Sequence, residues 1–454
     1  MLNRGFVISG GSSSVGKTTV TLGLMNLFNN IAPFKVGPDF IDPSYHKIIT
    51  KEHSYNLDIF LMGKDGVKYS FFTHMKEMNI VEGVMGLFDG INNSLDNYST
   101  AHLAKTLNLP VILVVNGKGR SLSLASEILG YKNFDKDVNI IGVILNKINS
   151  EQRYLDLKDG IEKHTGIKCV GYLPEREEFS LDSRHLGLLQ AHEIKDLHEK
   201  IDLASQELSK SLDMEFILNN TVLEYSDEEI RDAKNLFSPQ QDKYKGIKIG
   251  VAKDDAFTFY YEDNLELFKK MGMEIEYFSP VNDEVIPSVD MLYFGGGYPE
   301  NYLEKLSSNK TMIKSIRDFY ESNKVVFGEC GGFIYLSKGI YDSNNEFYPL
   351  CGIADCQMKM FGKLDIKRFG YANVEFKNRF LGKAHEFHYS QIIESGEMKR
   401  EYNVSKESGK KWICGYSDKN FLAGYPHFHF FKSLDILDEI LKGVYQERKG
   451  ENNV

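Results

Sequence analysis

Two short stretches of this 454-residue sequence combine residue types and spacings that can do chemistry. The first is Gly11-Ser12-Ser13-Ser14-Val15-Gly16-Lys17-Thr18, which fits the phosphate-loop pattern G-x-x-x-x-G-K-[ST]. Glycines there let successive backbone N–H groups turn toward a phosphate with no Cβ in the way. Lys17 is spaced to reach β- and γ-phosphates, and the Thr18 hydroxyl to ligate Mg²⁺. The second is Gly328-Glu329-Cys330-Gly331-Gly332, a cysteine between glycines where an apolar strand gives way to a helix. That is the architecture of a nucleophile elbow with sulfur in place of a hydroxyl. A helix N-terminus behind Cys330 is expected to lower its thiol pKa. The Gly331 N–H, with one from Gly296 or Gly297 in Gly295-Gly296-Gly297-Tyr298-Pro299-Glu300, would form an oxyanion hole.

A thiol nucleophile needs a base. His427 and His429 in Gly424-Tyr425-Pro426-His427-Phe428-His429-Phe430 stand at i and i+2 and share one face of an extended segment. One of them is expected to serve Cys330 and the other to be structural. The remaining cysteines (Cys169, Cys351, Cys356, Cys414) read as small buried hydrophobes. His385-Glu386-Phe387-His388-Tyr389-Ser390 misses the H-E-x-x-H zinc spacing and reads as a loop facing substrate or an interface.

Near the phosphate loop, acids stand at strand ends. Asp39 and Asp42 lie in Lys35-Val36-Gly37-Pro38-Asp39-Phe40-Ile41-Asp42-Pro43, where Asp beside Pro is also ordinary turn chemistry. Glu82 falls inside an apolar strand, which is unfavourable unless it meets a cation or hydrogen bonds, and Asp89 follows just past it. An acid emerging from a strand beside a phosphate loop is the expected second support for Mg²⁺. Asn146, before Lys147, ends another strand and reads either as part of a base-recognition loop or as a helix cap.

These side chains need a scaffold that brings strand ends together. Apolar runs at Gly5–Ser9, Phe34–Val36, Ile80–Met85, Pro110–Val115, Val138–Leu145 and Cys169–Leu173 alternate with amphipathic stretches such as Thr100–Leu107, for which Ser99 is the expected N-cap. The alternation predicts an α/β fold with a parallel sheet, whose ligands bind beyond the carboxyl ends of the strands. Residues 183–243 are helical in pattern and polar, and Phe237–Lys243 reads as a linker. A second α/β segment without a phosphate loop starts at Ile247. The expected division is 1–190 for the phosphate-loop domain, 191–243 for a helical extension and linker, and 244–454 for the cysteine domain.

Hydrophobic residues at 42% and charged ones at 26% suit a soluble globular protein with ample core. A net charge of −10 argues against nucleic acid as a partner. The five cysteines suit a reducing cytoplasm. With no signal peptide at the N-terminus and no apolar stretch near 18 residues, the expectation is a cytoplasmic protein with no membrane partner.

Taken in order, these blocks resemble the cobyrinate a,c-diamide synthase family, together with Asn56-Leu57-Asp58 and Phe257-Thr258-Phe259-Tyr260-Tyr261. The similarity spans essentially the whole chain. It implies an N-terminal ATP-dependent synthetase domain of the dethiobiotin-synthetase type and a C-terminal class I glutamine amidotransferase domain. It also implies a ligase that amidates the a and c carboxylates of cobyrinate with ATP, Mg²⁺ and glutamine, in cobalamin biosynthesis. Cys330 would be the glutaminase nucleophile and His427 the residue that raises its nucleophilicity. Asp39, Asp42, Glu82 and Asp89 would lie at the ATP, Mg²⁺ and tetrapyrrole-carboxylate site, with Asp39 and Glu82 toward the metal and Asp42 and Asp89 toward the substrate. The partners would be small molecules, with a homodimer compatible. Two positions depart from the pattern: His429 stands where class I glutaminases usually carry a carboxylate, and Asn116 where an Asp is expected. The same motifs suit Ni-sirohydrochlorin or hydrogenobyrinate as substrate. A nucleotide-switched scaffold of the ParA/MinD type is the alternative outside enzymes, but it has no use for a cysteine elbow and usually carries a second lysine where Gly11 and Ser12 stand.

Overall fold

Buried apolar runs make the strands of this chain, and polar turns at their carboxyl ends make its sites. The computed structural model describes residues 2–181, 183–184, 187–188, 194, 196–362, 364, 367–377 and 379–451. The chain divides into two compact units, Met1–Ile59 with Gly63–Leu236, and Phe237–Val454 with Phe60–Met62. The expected boundary at 190/191 lies outside the described residues.

The first unit alternates strand and helix in the expected rhythm: β1 (Arg4–Gly10), α1 (Lys17–Met25), β2 (Ile31–Val36), α2 (Asp42–Thr50), β3 (Tyr55–Leu57), α3 (Ile59–His74) and β4 (Met78–Glu82). Then come α4 (Thr100–Thr106), β5 (Val111–Asn116), α5 (Ser123–Phe134), β6 (Ile140–Asn146), α6 (Glu151–Thr165) and β7 (Lys168–Leu173). The strands form one parallel sheet ordered β3-β2-β4-β1-β5-β6-β7. Parallel strands covered on both faces read as continuous apolar runs, and Phe6, Val7 and Ile8 of β1 are wholly buried accordingly. Ser99 caps α4 as its residue type predicts, accepting from the His102 N–H at 3.3 Å.

After a two-strand ribbon of β8 (Ser183–Arg184) and β9 (Gly187–Leu188) come α7 (Leu197–Ser209), α8 (Met214–Asn220) and α9 (Asp227–Lys234), all in the first unit. Helix α7 lies tightly on α1, where Gly23 leaves room: a Cβ there would sit 2.7 Å from Leu208 Cδ1.

The second unit begins as a parallel α/β layer of β10 (Lys248–Ala252), α10 (Glu262–Lys270), β11 (Glu274–Phe278), β12 (Met291–Phe294), α11 (Leu303–Ser308), α12 (Lys310–Glu321), β13 (Val325–Glu329) and α13 (Gly331–Leu336). From there the chain departs from the expected rhythm. It runs through β14 (Ser337–Tyr341), β15 (Phe347–Pro349), β16 (Ala354–Met360), β17 (Gly370–Phe376), β18 (Arg379–Glu386) and β19 (Ser390–Ser395). It continues through β20 (Lys399–Ser405), β21 (Lys411–Ser417), β22 (Phe421–Gly424) and β23 (His427–Phe428) before the final α14 (Leu434–Glu451). Most of these strands pair antiparallel, and one face of several is wet, so apolar and polar residues alternate along them where the parallel strands are apolar throughout. Strand β22 returns to the parallel layer beside β13, giving the order β11-β10-β12-β13-β22-β21-β20-β17-β18-β23.

The cysteine turn depends on one close contact. A Cβ on Gly332 would stand 2.2 Å from the Phe294 carbonyl oxygen, and backbone cannot give way cheaply. Gly332→Ala is therefore expected to destabilise the second unit by about 1–3 kcal/mol or more, lowering its melting temperature by several degrees in differential scanning calorimetry. An unchanged transition would refute this packing.

Candidate active sites

In the first unit the sheet register lines up the chemistry. Ile8 of β1 and Lys35 of β2 both stand level with Glu82 of β4, so the phosphate-loop strand, the acid and the lysine emerge in one row. Gly16 takes φ 90°, and a Cβ on it would strike the Asn146 amide nitrogen at 2.0 Å. The loop closes on itself: Lys17 Nζ donates to the Ser12 carbonyl at 2.7 Å, and Asn146 Nδ2 donates to the Val15 carbonyl at 2.8 Å. Asn146 thus braces the loop from beneath.

Glu82 is wholly buried and has a partner on each oxygen. Its Oε1 accepts from Thr18 Oγ1 at 2.7 Å and lies 3.6 Å from Lys35 Nζ, while its Oε2 meets His46 Nε2 at 2.7 Å. His46 is anchored in turn by Ser54 Oγ, 2.8 Å from Nδ1. Burial alone would raise the Glu82 pKa, but Lys35, His46 and Thr18 outweigh it and hold the carboxyl down to about 2. Lys35 also pairs with Asp42, contacts Asp39 at 4.0 Å and donates to the Gly83 carbonyl at 3.1 Å. These acids outweigh its burial and keep it charged. Asp42 is pushed well up by burial and by the charges of Asp39 and Glu82. Lys17 is drawn down to about 8 by burial and by Lys35.

Asp39 Oδ1 accepts from the Ile41 and Asp42 N–H groups at 2.8 and 3.2 Å, the turn chemistry its position allowed. Asp89 Oδ2 accepts from the Gly86 N–H at 2.7 Å, and the Leu87 N–H reaches the Gly10 carbonyl at 2.8 Å, so Asp89 is held beside the start of the phosphate loop. Thr18 Oγ1 and Glu82 Oε1 are separated by about the edge of an octahedral Mg²⁺ shell with its ligands near 2.05 Å. One hydroxyl and one carboxylate beside a phosphate loop suit an ion that takes few protein ligands and keeps its waters. Among the described residues no group of three or more His, Cys, Asp or Glu is placed to hold a metal on its own.

In the second unit Cys330 follows β13 with φ 48° and ψ −103°, a conformation that costs of order 1–3 kcal/mol and that surrounding contacts must hold. Its N–H donates to the Gly424 carbonyl at 2.8 Å, and its Sγ lies 3.5 Å from the Phe387 carbonyl. Gly331 packs on Gly297: a Cβ on Gly331 would lie 2.9 Å from the Gly297 nitrogen. His427 packs on the same glycine turn, where a Cβ on Gly296 would meet its Cε1 at 2.3 Å. The elbow, the glycine turn and His427 are thereby brought together. His429 goes elsewhere, with Nε2 3.8 Å from Asp263 Oδ2 and the ring wholly buried.

One expectation changes here. The thiol is not lowered. Cys330 is 5% exposed, and burial, followed by the charge of Glu300, pushes it above its ordinary range; a six-residue helix does not compensate. Burial, then His385 and His388, pushes His427 down to about 3, so the resting pair is thiol and neutral imidazole. The 385–390 segment, read as a loop facing substrate or an interface, joins the end of β18 to the start of β19 and lies against the thiol. Glu386 is wholly buried against Trp412 Nε1 at 3.2 Å, His388 stacks on Tyr425 at 3.6 Å between ring centroids, and Phe387 touches the thiol.

Sequence reasoning missed the clamp on the Phe428 backbone. Glu329 Oε1 accepts the Phe428 N–H at 2.9 Å while Asn264 Nδ2 donates to the Phe428 carbonyl at 2.8 Å, and Tyr293 OH holds the other Glu329 oxygen at 2.6 Å. Only the acid at the end of the apolar run Val325–Phe327 hinted at it.

A nucleotide-binding unit joined to a cysteine amidotransferase unit is the class that this fold and these sites define. Residues 6–189 match the CobQ/CobB/MinD/ParA nucleotide binding domain family, and residues 248–434 the CobB/CobQ-like glutamine amidotransferase domain family. The chain is 47% identical over 442 residues to the cobyrinate a,c-diamide synthase of Fusobacterium nucleatum subsp. nucleatum, covering 96% of this chain and 100% of that one. It is 40% identical to that of Caldanaerobacter subterraneus subsp. tengcongensis (94% and 95% covered) and 43% identical to that of Clostridium acetobutylicum (97% and 100% covered). The chain belongs to the cobyrinate a,c-diamide synthase family.

Because only thiolate is alkylated, the rate of iodoacetamide labelling at Cys330 should keep climbing about tenfold per pH unit from pH 7 to 9, with no plateau. Mass-spectrometric labelling rates that level off below pH 8 would show a depressed thiol instead.

Proposed function

We propose that this protein uses ATP and the amide nitrogen of glutamine to amidate the a and c side-chain carboxylates of cobyrinate, in the cytoplasm, as a step of cobalamin biosynthesis. The observation that carries the reading is the presence in one chain, similar over its length to synthases named for that product, of an ionised Glu82 bonded to Thr18 and a strained Cys330 elbow. Residues 1–190 serve as the amidoligase domain, 191–243 as extension and linker, and 244–454 as the glutaminase.

In the first unit the amides of Gly11–Thr18 and Lys17 cradle the triphosphate, and Asn146 keeps the loop in shape. Thr18 and Glu82, with Asp39 nearby, would hold Mg²⁺, which when bound would supply charge neutralisation at the β- and γ-phosphates. A substrate carboxylate oxygen, received near Asp42 and Asp89, bonds to the γ-phosphorus as the bond to ADP breaks. Ammonia then attacks the acyl carbon, and phosphate leaves. A carboxylate alone is too poor an electrophile for that attack, which is why ATP is required.

In the second unit the Cys330 sulfur attacks the glutamine Cδ, and its proton passes to neutral His427 and on to the departing ammonia. Water hydrolyses the thioester to release glutamate. The Gly297 and Gly331 N–H groups stabilise the oxyanion; the Gly296 N–H already donates to the Phe259 carbonyl at 3.3 Å. Asp263 occupies His429, and the Glu329–Asn264 clamp on Phe428 orients His427 in place of a third carboxylate.

Cys330→Ala is expected to abolish glutamine-supported synthesis while free ammonia still supports it. Full glutamine-dependent activity in that variant would sink the assignment. Glu82→Gln should lower ATP-dependent amidation by either nitrogen source at least ~100-fold and weaken Mg²⁺-dependent ATP binding in calorimetry, as loss of a charged metal ligand requires. Retained Mg²⁺ dependence would remove Glu82 from the site. Turnover measured on cobyrinate, hydrogenobyrinate and Ni-sirohydrochlorin, with ATP, Mg²⁺ and glutamine, identifies the tetrapyrrole; cobyrinate is expected to be preferred.

A further inference from the structure

Glu300 takes no part in the chemistry set out above, yet it stands beside it. It follows Pro299, whose Cδ lies 3.0 Å from where a Cβ on Gly331 would be, so the short turn Pro299–Asn301 abuts the cysteine elbow. The carboxyl accepts from its own backbone N–H. Its Oε2 is shut away from solvent with no hydrogen-bond partner among the described residues. An acid left so is unfavourable unless a donor or a cation arrives. Burial raises Glu300 to about 7, so it is charged in a large part of the molecules near neutrality. Its charge is, after burial, the largest cause of the raised Cys330 thiol.

The nitrogen donor proposed for Cys330 is a free amino acid, and its single cationic group is the α-ammonium. We propose that Glu300 binds the α-ammonium of glutamine and so selects the free amino acid over side-chain amides that lack it. The assignment rests on the glutaminase reading of Cys330. Its physical consequence reaches the chemistry. A bound ammonium cancels the repulsion that Glu300 exerts on developing thiolate, so the correct substrate eases charge onto the sulfur as it binds. Without glutamine the thiol stays protonated.

The test compares glutamine with glutaramate, the same amide without the α-amine, by ammonia release from wild type and Glu300→Gln. The wild type is expected to prefer glutamine in kcat/KM by roughly 100-fold or more, as for a site with a buried polar group made for one substrate group. Glu300→Gln should lose most of that preference, with glutamine falling at least ~30-fold and glutaramate changing less than ~3-fold. Glu300→Asp, which keeps the charge, should retain a clear preference. A parallel fall on both substrates would reduce Glu300 to a structural residue and overturn the proposal. So would a wild type that hydrolyses both equally, a result that does not depend on the folding of any variant. Cys330→Ala separates the two levels of the argument: it should release ammonia from neither substrate, and persistent release would overturn the nucleophile assignment itself.

Discussion

A carboxylate cannot be buried in a sheet without a cation or donors to meet it, and the nucleotide-binding unit is arranged around one that is. Glu82 sits level with Ile8 and Lys35 across neighbouring strands, and each of its oxygens is engaged. The strand order β2-β4-β1 is what makes this possible, because it sets the lysine and the phosphate loop on opposite sides of the acid. Lys35 keeps Glu82 ionised, His46 and Ser54 hold it in orientation, and Thr18 is bonded to it directly. The charge is thereby fixed at the carboxyl end of the sheet, where a parallel α/β fold receives its ligands.

The second unit answers a different constraint. A strained residue at the end of a strand persists only if its surroundings over-determine it. Cys330 is held by its own N–H on Gly424, by Gly331 against Gly297, and by Gly332 against the Phe294 carbonyl. Those contacts leave no room for Cβ atoms, so the glycines on both sides of the turn answer to packing as much as to backbone freedom. Enclosure has an electrostatic result: burial drives the thiol up and His427 down, so both rest neutral. Charge therefore has to develop on these two groups during any reaction they carry out.

The two units share a logic of buried acids with distinct duties. Glu82 is met by the Lys35 cation, the His46 ring and the Thr18 hydroxyl and stays charged. Glu329, with a tyrosine hydroxyl and one backbone N–H, is raised to about 8 by burial and serves to hold the Phe428 backbone. The difference lies in the neighbours alone, since both acids end apolar strands.

The sequence by itself determined the local features. The phosphate loop, the glycine-flanked cysteine, the acid inside an apolar strand and the α/β rhythm of the first unit are all legible because each depends on residues adjacent in the chain. What remained hidden depends on elements distant in the chain. Strand order decided that Lys35 meets Glu82, and the packing of α2 brought His46 to the far oxygen of that acid. The return of β22 beside β13 set Cys330 against Gly424, and the run of antiparallel strands between them folded Phe387 over the thiol. Sequence read the helix behind Cys330 as lowering its pKa; depth of burial, which no local pattern encodes, decided the opposite.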